Sequence, residues 1–202
     1  MHRWDVMQLL AAQRVLGIIR ANATDAAVRA GDSLVDAGLR VVEVSLITPG
    51  ALQAIERLAT RHTGCVVGAG TVLDDAAARA AIAAGARLIV SPNLHRGVVR
   101  TAQRYGVAVI PGAATPTEWV RALEWGADAV KLFPASAHSP AVLRDVLAAL
   151  PQVPVVPTGG VSLEAASQWI AAGALACGIG SALTANGTEA VSRLLTRLAE
   201  AR

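Results

Sequence analysis

The sequence predicts a (β/α)8 TIM barrel with an extra N-terminal helix, and three observations carry that prediction. A short apolar run recurs eight times along the chain. Each run is followed by a turn rich in Gly, Pro, Ser or Thr. Each turn leads into an Ala-rich helical stretch. Buried strands alternating with helices imply a parallel sheet, and eight such units close naturally on themselves. Repeat counting alone also admits an open doubly wound sheet, but no Gly-x-Gly-x-x-Gly fingerprint opens the first unit.

Taken in order, Met1-His2-Arg3-Trp4-Asp5 opens a short amphipathic helix that would close the barrel floor. Strands are expected at 15–20, 41–46, 65–70, 88–91, 107–111, 129–133, 153–157 and 175–179. Helix starts are expected at Thr24-Asp25, Thr48-Pro49, Asp74, Thr115-Pro116-Thr117-Glu118 and Ser162-Leu163-Glu164, where a side-chain oxygen can hold a free N–H. Helix ends are expected before Gly38, Gly85, Gly126 and Gly173. No linker or low-complexity tract divides the chain, so residues 1–202 read as one domain.

Composition narrows the class. Hydrophobic residues make up 53% and charged residues 16%, which excludes a disordered chain. The formal charge of +3 comes from scattered arginines, unlike a nucleic-acid stripe and compatible with a small anionic substrate. Cys65 and Cys177 sit in apolar runs and read as buried thiols rather than a disulfide. There is no signal-peptide core and no run long enough to span a membrane, so a cytoplasmic protein is expected. The tryptophans Trp119, Trp125 and Trp169 on Ala-rich helices fit subunit contacts and core packing equally well.

The chemistry centres on Lys131 in the run Ala129-Val130-Lys131-Leu132-Phe133-Pro134. Of eighteen Lys and Arg residues it is the only lysine. Only a lysine amine condenses with a carbonyl to give a Schiff base, and desolvation of an amine favours the neutral nucleophile. Strand alternation turns Lys131 and Phe133 inward, together with Glu43 and Ser45 in the second strand and Arg20 at the end of the first. Glu43 is the one acid embedded in an apolar strand. It reads either as a general acid/base or as the partner of a structural ion pair with Lys131 or Arg20.

The strand ends add small and hydroxylated residues. Gly68-Ala69-Gly70-Thr71 ends the third strand, and Thr71 is either a ligand or a capping residue. Ser91-Pro92-Asn93 and Ile110-Pro111-Gly112 end the fourth and fifth, their prolines forming turns or walling a pocket. Val156-Pro157-Thr158-Gly159-Gly160-Val161 and Gly178-Ile179-Gly180-Ser181 end the seventh and eighth, where such barrels commonly hold phosphate on backbone N–H groups. His2, His62, His95 and His138 show no metal-ligand spacing, and no Ser-His-Asp arrangement is present.

These motifs together resemble the 2-keto-3-deoxy-6-phosphogluconate (KDPG) and 4-hydroxy-2-oxoglutarate (KHG) aldolase family of class I aldolases. The likeness runs from Ile18-Ile19-Arg20-Ala21 through Val42-Glu43-Val44, Gly70-Thr71-Val72, Lys131-Leu132-Phe133-Pro134 and Pro157-Thr158-Gly159-Gly160-Val161 to Gly180-Ser181-Ala182-Leu183. The resemblance implies a homotrimeric lyase that needs no cofactor or metal. It would cleave KDPG to pyruvate and D-glyceraldehyde 3-phosphate, without nucleic-acid or membrane partners.

The resemblance also implies roles. Lys131 would form the Schiff base and Glu43 would move protons. Arg20 and Thr71 would hold the pyruvate carboxylate, with Pro92 and Phe133 shaping that pocket. Thr158 would lie near the substrate hydroxyls, and Gly159, Gly160, Gly180 and Ser181 would receive the phosphate. Ile47 stands where some family members carry arginine, which leaves the carboxylate to Arg20. The 91–95 and 111–115 segments look like the galactonate-epimer aldolases, whereas the 157–160 turn fits the gluconate type, so the C4 epimer and activity on 4-hydroxy-2-oxoglutarate stay open. A metal-free sugar-phosphate isomerase or cyclising synthase, and a non-catalytic phosphosugar-binding protein, are the rival readings.

Overall fold

The computed structural model describes residues 2–185 and 187–200, so the expected helix start at Met1 and the last two residues of the expected 1–202 domain lie outside it. Helix α1 (Arg3–Gln13) precedes the barrel, its start held by a capping box between His2 and Asp5. Then come β1 (Val15–Ile19), α2 (Thr24–Asp36), β2 (Val41–Ser45), α3 (Ala51–Arg61), β3 (Val66–Gly70), α4 (Asp75–Ala83), β4 (Leu88–Val90), α5 (Arg96–Arg104) and β5 (Ala108–Ile110). The second half holds β6 (Gly112–Ala113), α6 (Pro116–Glu124), β7 (Val130–Leu132), a 3-10 turn (Ala135–Ala137), α7 (Pro140–Ala149), β8 (Val155–Pro157), α8 (Ala166–Ala171), β9 (Cys177–Ile179), α9 (Ser181–Ala185) and α10 (Gly187–Glu200).

All strand pairs are parallel, in the order β5-β4-β3-β2-β1-β9 and β6-β7-β8. The two sheets are one barrel wall. β5 and β6 are halves of the fifth barrel strand, interrupted at Pro111, whose ring nitrogen has no N–H for the ladder. The Pro111 carbonyl still accepts the Lys131 N–H at 2.8 Å, and a parallel bridge between Thr158 and Gly178 joins β8 to β9. Eight barrel strands are therefore present among the described residues, as the alternating apolar runs predict.

Alternation along the strands splits the core in two. Leu16, Val41, Val66, Leu88, Val90, Ile110, Ala129 and Val156 fill the barrel interior, and Val6 and Leu10 of α1 plug it from below. Ile19, Val42, Val44, Ile89, Val130 and Leu132 point the other way, under the surrounding helices. Trp119 and Trp169 belong to that outer core, and Trp125 packs half-buried against it, so core packing accounts for all three. Both cysteines are free thiols. Cys177 is buried and its thiol is pushed up to about 12 by burial, while Cys65 is only half-buried.

The caps divide into local and long-range cases. Asp74 accepts the Ala77 N–H at 2.7 Å, and Thr115 with Glu118 forms a full capping box. Gly38, Gly85, Gly126 and Gly173 all take the left-handed conformation that ends a helix. Ser162 accepts the Ala165 N–H at 3.1 Å, in a turn that precedes α8 rather than at its first residue.

Two expected caps are not caps. Ala23, not Thr24, stands before α2, and the Thr24 hydroxyl donates to the Pro49 carbonyl at 3.2 Å. The Thr48 hydroxyl accepts the Ala21 N–H at 3.2 Å, and α3 starts after Gly50 instead. Both hydroxyls tie the loop after β1 to the loop after β2. His95 and Ser139 are caps that polar-loop reasoning missed, each accepting an N–H three residues on.

Glu118 accepts from the Ala114 N–H and from the N–H and hydroxyl of Thr115, and these bonds hold its carboxyl below the usual range. Losing such a box costs about 1 kcal/mol. Thr115→Ala is therefore expected to lower Tm by about 2–4 °C in a calorimetric melt, in a chain of this size. Activity should be unchanged.

Candidate active site

The strand ends that carry the predicted residues meet at one cavity of about 360 Å³ at the C-terminal mouth of the barrel. Its lining contains Arg20, Glu43, Thr71, Lys131, Phe133, Thr158, Gly159, Gly160, Gly180 and Ser181. Pro92 is the one expected residue outside that lining. It abuts Gly112, where any Cβ would lie 2.3 Å from the Pro92 carbonyl, so it shapes the wall behind the fifth strand. Ile18, Val161, Gly178, Ala182 and Thr184 also line the cavity without having been singled out. Ile18 and Gly178 share the inward parity of Arg20 and Gly180, so strand alternation could have found them. Thr184 lies in α9 and carried no such signal.

Glycines make the room. A Cβ at Gly70 would lie 2.5 Å from Glu43 Oε1, so the Glu43 carboxyl rests against bare backbone of β3. A Cβ at Gly178 would lie 2.3 Å from the Thr158 hydroxyl. That hydroxyl donates to the Val156 carbonyl at 3.2 Å. Gly159 and Gly160 both have positive φ, at 85° and 86°, and the Phe133 ring packs on Gly159. The 3-10 turn fixes this corner, because Ala135 and Ser136 donate to the carbonyls of Thr158 and Gly159 at 2.8 and 2.9 Å.

The charged groups are set up unusually. Glu43 is only 2% exposed and Lys131 only 6%. Among the described residues no hydrogen bond or direct ion pair links Glu43 to Lys131 or to Arg20, although both cations act on it electrostatically. Glu43 Oε2 is buried with no hydrogen-bond partner among the described residues. Burial raises the Glu43 carboxyl above its ordinary range, although the positive charges of Lys131 and Arg20 oppose the rise. Lys131 Nζ sits 5.1 Å from the centre of the Phe133 ring, within reach of a cation–π contact. The site thus holds an amine and a carboxyl that can carry a proton.

Thr71 is the one strained residue of the mouth. Its φ is +60°, which costs a β-branched residue about 1–2 kcal/mol. Its hydroxyl lies 2.7 Å from that of Ser45. Ile47, 59% exposed, takes no part in the lining, which leaves Arg20 as the cation of that wall. Among the described residues no group of three or more His, Cys, Asp or Glu side chains could hold a metal ion. Among the described residues no helix is long and apolar enough to cross a membrane. A wider groove of about 740 Å³ lies outside the barrel between α6 and α7, lined by Val120, Arg121 and Asp145 among others, and it contains no amine nucleophile.

Comparison with known proteins identifies the family. A family model described as KDPG and KHG aldolase matches residues 6–194. The chain belongs to the KDPG and KHG aldolase family. It is accordingly an aldolase, a lyase. Its relatives include the 2-dehydro-3-deoxy-6-phosphogalactonate aldolase of Escherichia coli, 40% identical over 171 residues that cover 84% of this chain and 83% of that one.

Among solved structures, a KDPG aldolase of Zymomonas mobilis with 3-phosphoglycerate superposes with a TM-score of 0.86 at 28% identity, covering 99% and 97% of the two chains. A KDPG aldolase of Legionella pneumophila, with pyruvate captured as a covalent carbinolamine, gives 0.82 at 30% identity over 96% of each. These neighbours share the barrel, and the aldolase resembles them over nearly its full length.

The raised carboxyl has a measurable sign. A folded-state pKa above the unfolded one stabilises the fold below the unfolded value, and that contribution is lost as pH rises through the folded value. Glu43→Gln is therefore expected to raise Tm at neutral pH, with the gain vanishing below pH of about 4. Thermal melts across that range would check it. A gain that persists unchanged in acid would contradict burial as the cause.

Proposed function

We propose that this aldolase cleaves KDPG to pyruvate and D-glyceraldehyde 3-phosphate through a Schiff base on Lys131. The sole lysine of the chain, buried beside an unpartnered carboxyl at the barrel mouth, carries this reading. The neutral amine attacks the C2 carbonyl to form a carbinolamine. Glu43 protonates the departing hydroxyl, and water leaves as the protonated imine forms. Its carboxylate then takes the proton of the C4 hydroxyl. The C3–C4 bond breaks, its electron pair passes into the iminium to give an enamine, and the aldehyde departs. Protonation at C3 and hydrolysis by water return pyruvate and the free amine. Glu43 Oε2, which no protein group satisfies, is the acceptor this cycle uses.

Binding follows from the same lining. Arg20 supplies charge and Thr71 a hydroxyl for the pyruvate carboxylate, and Phe133 shapes that end. The consecutive left-handed turn at Gly159 and Gly160, facing Gly180 and Ser181, suits a phosphate held on backbone N–H groups. That phosphate end favours a phosphorylated substrate over 4-hydroxy-2-oxoglutarate. The 40% identity to the E. coli galactonate enzyme favours the C4 epimer as a second reading. The resemblance of the 157–160 turn to the gluconate type favours the gluconate form, with the Thr158 hydroxyl in the cavity wall as the polar group that could distinguish the two C4 configurations. Family resemblance supports a cytoplasmic homotrimer, and light scattering at three times the chain mass would establish the trimer.

Borohydride reduction with pyruvate is expected to label the peptide containing Lys131 and abolish cleavage. An active protein that remains unlabelled would overturn the Schiff-base mechanism. Thr158→Val keeps the shape and removes the hydroxyl. It should lower kcat/KM for the gluconate epimer at least about tenfold relative to the galactonate epimer in a pyruvate-release assay. An unchanged ratio would favour the galactonate reading.

A further inference from the structure

We propose that Ser45 is a positioning residue for the aldolase reaction, its hydroxyl fixing the direction in which Thr71 offers its own proton to the pyruvate carboxylate. The inference rests on the reading of Thr71 as a carboxylate ligand. Ser45 ends β2 and is 1% exposed, pointing to the barrel interior between Glu43 and the mouth. It does not line the cavity, whereas Thr71 does. The register that sets Ser45 opposite Gly70 places it beside the next residue, and the two hydroxyl oxygens lie 2.7 Å apart.

Thr71 is held from three sides. The Gly70 carbonyl accepts the Leu46 N–H at 2.8 Å, and the Val72 N–H donates to the Val90 carbonyl at 3.1 Å. These bonds pin the backbone on either side of a residue at φ +60°, where a β-branched side chain stays only if its neighbours enforce it. The Ser45 bond then fixes the side chain.

Proton accounting gives the pair a direction. Ser45 Oγ has no second hydrogen-bond partner among the described residues, so the Thr71 oxygen is the acceptor available to its proton. With Ser45 donating, the Thr71 proton is free for a carboxylate oxygen. With the roles reversed, Thr71 would present only lone pairs to an anion. The chain from Ser45 to Thr71 to carboxylate also polarises each bond in turn. Folding alone does not demand the Ser45 hydroxyl. An alanine there would remove a buried polar group, and the Thr71 oxygen would still face the open cavity.

Pyruvate KM and kcat in the condensation direction, with saturating glyceraldehyde 3-phosphate, test this alongside Tm for Ser45→Ala, Ser45→Cys, Thr71→Ala and the Ser45→Ala/Thr71→Ala pair. Loss of one oriented hydrogen bond predicts a pyruvate KM about tenfold higher in both Ser45 variants, with kcat within about twofold. The cysteine fills the site with a slightly larger side chain and donates weakly, so with its Tm it reports on the bond even if the alanine variant folds poorly. The double variant should be no worse than Thr71→Ala. A raised KM in Thr71→Ala with an unchanged KM in the Ser45 variants overturns the inference, as do additive penalties in the pair. An unchanged KM in Thr71→Ala overturns the carboxylate reading of Thr71 itself, and the role of Ser45 with it.

Discussion

A closed barrel encloses a fixed interior, and every inward position must either fill that space or leave it open. The lower part is filled by aliphatic side chains and sealed by Val6 and Leu10 of α1. The upper part is thinned by Gly68, Gly70 and Gly178, each at a point where a Cβ would collide with a neighbour. Glu43 and Lys131 occupy the space between these regions. Their burial is thus a consequence of where the apolar filling stops and the glycines begin. A Cβ at Gly70 would displace the Glu43 carboxyl and disturb the mouth without touching the core below it.

The chain treats its two most buried carboxylates in opposite ways. Asp128, at the floor, is raised by burial but accepts the Val109 N–H at 2.9 Å and lies 3.7 Å from an Arg3 nitrogen. Glu43 Oε2 has no hydrogen-bond partner among the described residues. Leaving a buried acceptor unsatisfied costs about 1–3 kcal/mol, which the surrounding core and caps must offset. The floor carboxylate is satisfied by its neighbours, whereas the carboxyl at the mouth is left open to the cavity.

Much of this was legible in the sequence because it is periodic or local. Alternation along β2 and β7 places Glu43 and Lys131 on one side, and glycines after helices mark their ends. Asp74 and Thr115 also act within a few residues of themselves. What escaped depends on partners distant in sequence. Thr24 and Thr48 look like helix caps, yet each finds a backbone group in the neighbouring loop, and nothing local distinguishes the two outcomes. Pro92 follows a strand as the wall residues do, but it lies outside the cavity lining, with its carbonyl against the backbone of Gly112. The Ser45–Thr71 pair spans 26 residues, and each hydroxyl taken alone reads as ordinary.

The scarcity of lysine has a practical meaning beyond catalysis. Reagents that acylate or reductively alkylate amines scatter over the surface of most proteins, because lysines are common and exposed. Here the single side-chain amine lies inside the cavity that would hold the substrate. Size and charge of the reagent then decide whether it enters, and occupancy of the pocket decides whether it reacts. Modification of the one lysine thus becomes, for this chain, a gauge of pocket access, read separately from reaction at the main-chain α-amine.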